Sequence, residues 1–300
     1  MTSLKTYTEP QKSGLLLLDK PKNFSSHDIV AICRRELKTK KIGHSGTLDP
    51  MATGLLVVFL GRATRAVEFA EADGKTYEAG LRLGVTTDTQ DLTGEVLAER
   101  EVRTTDAELE AALARFRGEI EQTPPMYSAV KIGGKPLYKI ARKGGEVERK
   151  PRKITIYELE RRGGTIPEVL LRVRCSKGTY IRTLCHDVGE LLGCGGTMSA
   201  LRRTAAGPFS LEEAHTLDEV LEAAENAAAE RWLLPVERLF PDARKITLTP
   251  GQEKTVRNGG GYTCRLPEGR CRLYAQSGEF LALAELRRGT MQPIKSFFEV

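Results

Sequence analysis

The chain has 300 residues, 40% of them hydrophobic and 29% charged, with a net charge of +6 and a sequence pI near 9.0. That length gives one large domain or two unequal ones, and the composition excludes a disordered chain. The longest apolar runs, 15–18 and 55–60, fall short of the roughly 18 residues of a spanning helix. The N-terminal "MTSLKTYTEPQKSG" lacks an apolar signal region, so a cytoplasmic location is expected. The positive charge points to a polyanionic partner, nucleic acid before a membrane surface, because no long basic amphipathic helix stands out.

"GLLLLDKPKNFSSHDIVAICRREL" predicts a short buried strand, a loop and a helix. Ser25 and Asp28 form a capping-box pattern, and Ile29, Ile32, Cys33 and Leu37 recur at helical spacing. A basic run at 38–41 leads into "GHSGTLDPMATGLL", a loop of glycines, small hydroxyls and a proline around Asp49. "LLVVFLG" reads as a buried strand. "KTYEAGLRLGV" alternates, with Tyr77, Ala79, Leu81, Leu83 and Val85 on one face. "TTDTQDLTGEV" is a polar, turn-rich loop, and 105–117 is a capped amphipathic helix.

Residues 122–153 are rich in Lys and Arg, carry Tyr127 and Tyr138, and are broken by Gly and Pro. Such a basic arm suits single-stranded or looped RNA, where cations hold phosphates and rings stack on bases; a solvated surface loop has the same composition. "ITIYELE" and "EVLLRVRCS" alternate as strands. "TYIRTLCHDVGELLG" is a helix with Ile181, Leu184, Val188, Leu191 and Leu192 as its buried stripe. An Ala-rich helical stretch at 217–240 precedes glycine-punctuated short strands, a small β-domain at 245–300 following a domain at 1–244. The mixture predicts an α+β fold with a mixed, largely antiparallel sheet flanked by helices.

Four side chains stand out. Pro50 pushes Asp49 toward an extended backbone, and an ionised carboxylate there is a candidate nucleophile or base; an Asx turn is the alternative. Tyr77 is either a core tyrosine or a ring lining a base pocket. Arg182 lies in the first turn of its predicted helix, where a cation opposes the helix dipole; a carboxylate partner would compensate, and solvation is the alternative. His44 is a turn residue or a base contact. The six cysteines contain no CxxC pair and read as reduced thiols, mostly in the core, without a metal. No GxxxxGK[ST] or strand-following GxGxxG is present, so no nucleotide cofactor is indicated.

In this order the segments resemble the TruB family of tRNA pseudouridine synthases. "LLLLDKPKNFSSHD" is similar to the family's Lys-Pro motif and "GHSGTLDPMATGLLVVFLGRATR" to its catalytic-aspartate motif. "KTYEAGLRLGVTTDTQDLTGEV" resembles the tyrosine motif, "QTPPMYSAVKIGGKPLYKIARKGG" the RNA-gripping insertion of bacterial members, and "CSKGTYIRTLCHDVGELLG" with "LRRTAAGPF" the arginine and leucine motifs. The likeness runs over 14–210, and the C-terminal β-domain sits where the family carries a PUA domain.

The resemblance implies isomerisation of the T-loop uridine of tRNA, with the base flipped out, cut from C1′ and rejoined through C5. It assigns Asp49 as the essential carboxylate and Arg182 as its partner. Tyr77 stacks on the flipped base, with proton transfer open as a second role. His44 fills the space the uridine leaves, Tyr180 and Leu201 line the pocket, and Lys20 and Pro21 support the loop of Asp49. It implies tRNA as partner and no required protein partner; no cofactor is expected, and no coiled coil or obvious pairing edge suggests anything but a monomer. Two alternatives are a guide-RNA-dependent synthase, which the basic insertion argues against, and a binding module that refolds tRNA.

Overall fold

The computed structural model describes residues 12–72, 74–226 and 228–298. Most of the polar N-terminal stretch lies in 1–11, outside the described residues. The first part runs β1 (Gly14–Lys20), α1 (Ser26–Glu36), β2 (Ile42–Ser45), β3 (Thr53–Leu60), α2 (Val67–Ala72), β4 (Lys75–Leu83), β5 (Val85–Thr87), β6 (Val96–Glu99), α3 (Asp106–Ala114) and β7 (Gly118–Gln122). It continues through β8 (Lys131–Ile132), β9 (Lys135–Pro136), α4 (Leu137–Ala141), β10 (Arg152–Thr165), β11 (Glu168–Cys175), α5 (Ile181–Leu191), β12 (Gly196–Ala206), β13 (Phe209–Ser210), β14 (His215–Thr216) and α6 (Leu217–Glu225). The last part holds β15 (Arg244–Thr247), α7 (Pro250–Arg257), β16 (Tyr262–Thr263), β17 (Gly269–Tyr274), β18 (Phe280–Arg287) and β19 (Thr290–Ser296).

The fold is α+β, with a ten-stranded sheet in the order β14-β1-β3-β12-β4-β11-β10-β7, to which β2 adds on β3 and β13 on β12. Pairing is antiparallel except at β1–β14 and β12–β3. β1 and β3 read as continuous apolar runs because both their faces are covered: α1 and α6 pack on one, and an aromatic cluster lies on the other. β11 alternates strictly and β4 exposes only Glu78 and Arg82; their inward residues, with α5, form a separate core. Gly189 lets α5 sit on the sheet, since a Cβ there would come within 2.1 Å of Gly196 N.

A five-stranded sheet, β15-β17-β18-β19-β16, closes the chain. It is docked on the large sheet. Tyr274, Phe280, Leu283 and Phe297 share one cluster with Leu15, Leu17, Leu55, Val57, Phe59 and Phe240. Phe240 stands edge-on to Phe69, with ring centroids 5.5 Å apart, and Phe297 stacks on Phe280 at 5.3 Å. At the rim Lys295 Nζ pairs with Glu68 at 2.5 Å.

Several sequence expectations need correction. Residues 42–45 are a strand on β3, so His44 is a strand residue opposite Val58 and no turn residue. The helix expected over 105–117 ends at Ala114, before the chain turns at Gly118, whose φ of +90° few other residues adopt. The helix expected through 240 ends at Glu225; 229–232 and 236–239 are short 3₁₀ turns separated by Pro235. In α5, Leu191 is 41% exposed, and Cys185 is buried on the inward face instead. α7 was not expected, although Thr249 caps it, Pro250 opens it and Gln252 completes the capping box.

Candidate active site

Asp49 lies in the turn between β2 and β3, and both of its neighbours are pinned from beneath. Lys20 Nζ donates to Pro21 O (2.9 Å), Phe24 O (2.6 Å) and Pro50 O (3.4 Å). The Asn23 N–H also donates to Pro50 O, at 2.8 Å. Ser26 Oγ accepts the Leu48 N–H (2.9 Å) and donates to Leu48 O (3.2 Å). Lys20 at the end of β1, Asn23, and Ser26 at the start of α1 therefore clamp the Asp49 turn, while Pro21 is linked to it through Lys20, whose Nζ donates to the Pro21 carbonyl. Burial pushes the Lys20 ammonium down to about 8, against the opposing pull of Asp49.

The opposite wall is the start of α5. Tyr180 has no side-chain cap of its own. Gln122 holds it instead, with Oε1 accepting the Tyr180 N–H (2.8 Å) and Nε2 donating to Tyr180 O (3.0 Å). Arg182, two residues on, is 6% exposed, so the solvated alternative is set aside. Its Nη2 lies 2.8 Å from Asp49 Oδ2 and donates to Tyr127 O at 3.0 Å, while Nη1 lies 3.4 Å from Asp91 Oδ2. Two carboxylates thus compensate a cation at a helix N-terminus. Burial raises the Asp49 carboxyl above its ordinary value; Arg182 and Lys20 pull it down, and the Asp91 charge pushes it up.

Asp91 is among the site residues that sequence reasoning missed, with Ser26, Gln122 and Arg203. It is 2% exposed, and its Oδ1 accepts from Thr89 Oγ1 (3.0 Å), the Thr93 N–H (3.0 Å) and Thr93 Oγ1 (2.5 Å). The signal was an acid flanked by hydroxyls in "TTDTQDLTG", which composition alone assigns to a solvated loop.

Tyr77 points inward from β4 and is 8% exposed; burial raises its hydroxyl above the ordinary value. His44 stands edge-on to His27, with centroids 5.5 Å apart. Burial pushes its imidazole down to about 4, so the ring is neutral at pH 7. Asp49, Tyr77, His44, Tyr180, Arg182 and Leu201 all line one open cleft of about 1120 Å³, larger than a small-molecule pocket of roughly 300–1,000 Å³. Lys20 and Pro21 stand behind its wall. Lys22, Arg142, Arg152, Lys153 and Lys177 give its lining a positive rim.

The 122–153 segment folds over this rim as a β8–β9 hairpin followed by α4. Its Tyr127 and Tyr138 face the cleft, and Arg142 lies 5.5 Å from the Tyr138 ring centre. The six cysteines are free and five are buried. Among the described residues no cluster of three or more His, Cys, Asp or Glu side chains is placed to hold a metal, and no helix is long and apolar enough to cross a membrane.

Residues 34–181 match the family model "TruB family pseudouridylate synthase (N terminal domain)", and 182–241 match "tRNA pseudouridylate synthase B C-terminal domain". The chain is 47% identical over 283 residues to the tRNA pseudouridine synthase B of Azoarcus sp. (strain BH72), covering 93% of each. It is 50% identical over 236 residues to that of Opitutus terrae, covering 78% of this chain and 98% of the relative. Among solved structures it is similar to a chain of a Cbf5-Nop10-Gar1 complex, with a TM-score of 0.74 and 27% identity over 96% of this chain and 85% of that one. A chain of an H/ACA RNP bound to a substrate RNA containing 2'-deoxyuridine gives 0.72 at 25% identity, over 95% and 85%.

Proposed function

The chain belongs to the TruB family and is a tRNA pseudouridine synthase, an isomerase; from that premise we propose that its target is the T-loop uridine and that Asp49 is the essential carboxylate. The observation that carries this reading is the clamped Asp49, held between two pinned neighbours and the Arg182 guanidinium at the mouth of a basic cleft.

Pseudouridine formation breaks N1–C1′, turns the base and forms C5–C1′, with a net transfer of one proton from C5 to N1. Each route open to a carboxylate needs the ionised form: attack on C1′, attack on C6, or removal of a sugar proton. The Arg182 pair favours that form. A uridine in a folded loop must be flipped out, at a cost of roughly a few kcal/mol. Stacking on Tyr77 offsets part of that cost, Tyr180 and Leu201 line the base's place, and the neutral His44 ring fills the vacated position. Residues 1–244 carry the chemistry and 245–300 add a second RNA-binding surface. The enzyme acts as a monomer without a guide RNA or protein partner, because the 122–153 insertion supplies its own grip.

The test is incubation of the pure protein with unmodified tRNA transcript, followed by mapping of pseudouridine at single-nucleotide resolution. Modification of the T-loop uridine alone is expected. Modification elsewhere, or none until a guide RNA is added, would overturn the assignment.

The grip has its own signature. Replacing Lys131, Lys135, Lys139, Arg142 and Lys143 with Ala is expected to flatten the salt dependence of tRNA binding. The change is about 0.7–0.9 in d log K/d log[salt] for each phosphate that the arm no longer neutralises. Titrations between low and moderate salt measure it, and an unchanged slope removes the arm from RNA binding.

A further inference from the structure

We infer that Arg203 is the counter-cation of Tyr77 and holds that phenol ready to give up and take back a proton during the isomerisation. The inference rests on the reading of the cleft as a pseudouridine synthase site.

Arg203 heads the largest fully buried side chains and is 0% exposed. On β3, Gly54, with a φ of +99°, lets that strand lie against the Arg203 backbone, since a Cβ there would come within 2.3 Å of Arg203 O. In the Asp49 loop, a Cβ on Gly46 would stand 3.2 Å from Arg203 Nη1. Nε donates to Leu55 O at 2.7 Å, which fixes the plane of the guanidinium. Nη1 and Nη2 are shielded from water, and the hydrogen-bonding group they face is the Tyr77 hydroxyl.

A buried guanidinium ordinarily has an anion beside it, because desolvating a charge without one is costly. Among the described residues no carboxylate lies within ion-pair distance of Arg203. Lys75, Lys20, His44 and Tyr77 stand near it, and Asp49 and Cys175 act on the Tyr77 hydroxyl against the Arg203 charge. Of the four groups near it only the Tyr77 phenol can become an anion. Tyr77 is the cross-strand neighbour of Arg203 in the β12–β4 ladder and lines the cleft with it. Burial raises the Tyr77 hydroxyl, and the Arg203 charge is the largest influence pulling it back.

The reaction gives such a pair a task. When N1–C1′ breaks, the Tyr77 hydroxyl passes its proton to N1 of the detached uracil, and the phenolate is paired with Arg203. After C5–C1′ forms, the phenolate takes the proton from C5 and returns to phenol. One proton has moved from C5 to N1, no outside acid or base is consumed, and no oxidation has occurred. Tyr77 touches the base; Arg203 acts through it and is a positioning residue.

The test is a double-mutant cycle read by single-turnover pseudouridine formation with enzyme in excess, using Arg203→Met and Arg203→Lys with Tyr77 intact and in the Tyr77→Phe background. With Tyr77 intact, Arg203→Met is expected to slow the reaction about 100-fold and Arg203→Lys less than about tenfold. In the Tyr77→Phe background Arg203→Met should cost less than about threefold further. Equal losses in both backgrounds, or equal losses for Met and Lys, would overturn the inference. If Arg203→Met does not fold, as judged by melting temperature and tRNA affinity, Arg203→Gln takes its place. Wild-type enzyme that leaves the T-loop uridine unmodified would sink the functional reading itself; active wild-type enzyme with additive losses sinks only the role of Arg203.

Discussion

Asp49→Asn is expected to abolish pseudouridine formation on tRNA transcript, a loss on the order of 10⁴-fold or more for a group that reacts directly. The amide keeps the shape of the carboxylate but is neither nucleophile nor base. The clamp on Leu48 and Pro50 does not involve the Asp49 side chain, so the turn should persist. Stability supplies the control. The folded-state carboxyl is raised above its ordinary value of about 4. Between the two values the native chain holds more protons than the unfolded one, so ionising Asp49 costs stability as pH rises through that window. Asn removes this cost, and the melting temperature at pH 7 should equal or exceed that of the wild type. For the same reason, wild-type turnover should fall with decreasing pH through a value above the ordinary carboxylate range. Near wild-type turnover in Asp49→Asn would remove the residue from the chemistry, and a markedly lower melting temperature would make its role structural.

Arg182→Lys carries the second-largest expected effect. One guanidinium serves three acceptors: Asp49 Oδ2, Asp91 Oδ2 and Tyr127 O. A fork of nitrogens can do this; a single ammonium on a thinner stem cannot. Lys would pair with one carboxylate and leave the other, which Coulomb repulsion would push away or force to bind a proton. Displacing a reacting group by on the order of 1 Å costs about 100-fold, so the single-turnover rate should fall by at least that factor while tRNA affinity stays within about threefold. Arg182→Met, which strands both carboxylates, should also destabilise the fold, by about 3–5 kcal/mol. Denaturant melts and rate measurements on the two variants separate these effects. Full activity in Arg182→Lys would mean that Asp49 is positioned by its clamp alone.

What could be read in advance followed periodicity. The two-residue repeat placed Tyr77 on the inward face of β4, and the apolar runs of β1 and β3 marked the buried centre of the sheet. Capping chemistry at Ser25 marked the start of α1. Element ends were less legible: nothing in the Ala-rich composition after Glu225 announces where α6 stops. The site was hidden for a different reason. Asp49, Asp91 and Arg182 come from three distant segments, and only the family resemblance paired Asp49 with Arg182. Asp91 and Arg203 are charged residues buried in a turn loop and a strand, and patterning rules send such residues to solvent. Ser26 and Gln122 act on backbone groups of remote segments, which no local pattern encodes.

The phenylalanine seam between the two sheets has a mechanical meaning. Phe240, Phe280 and Phe297 lie in one dry contact with the underside of the catalytic sheet. The terminal domain is therefore no tethered hand free to search for its target; it is the fixed jaw of a caliper, set at one opening when the chain folds. An RNA that meets both the cleft and this jaw must offer its two contact points at one distance and one angle. On the proposal that residues 245–300 bind RNA, selection by overall shape is expected to precede any reading of bases.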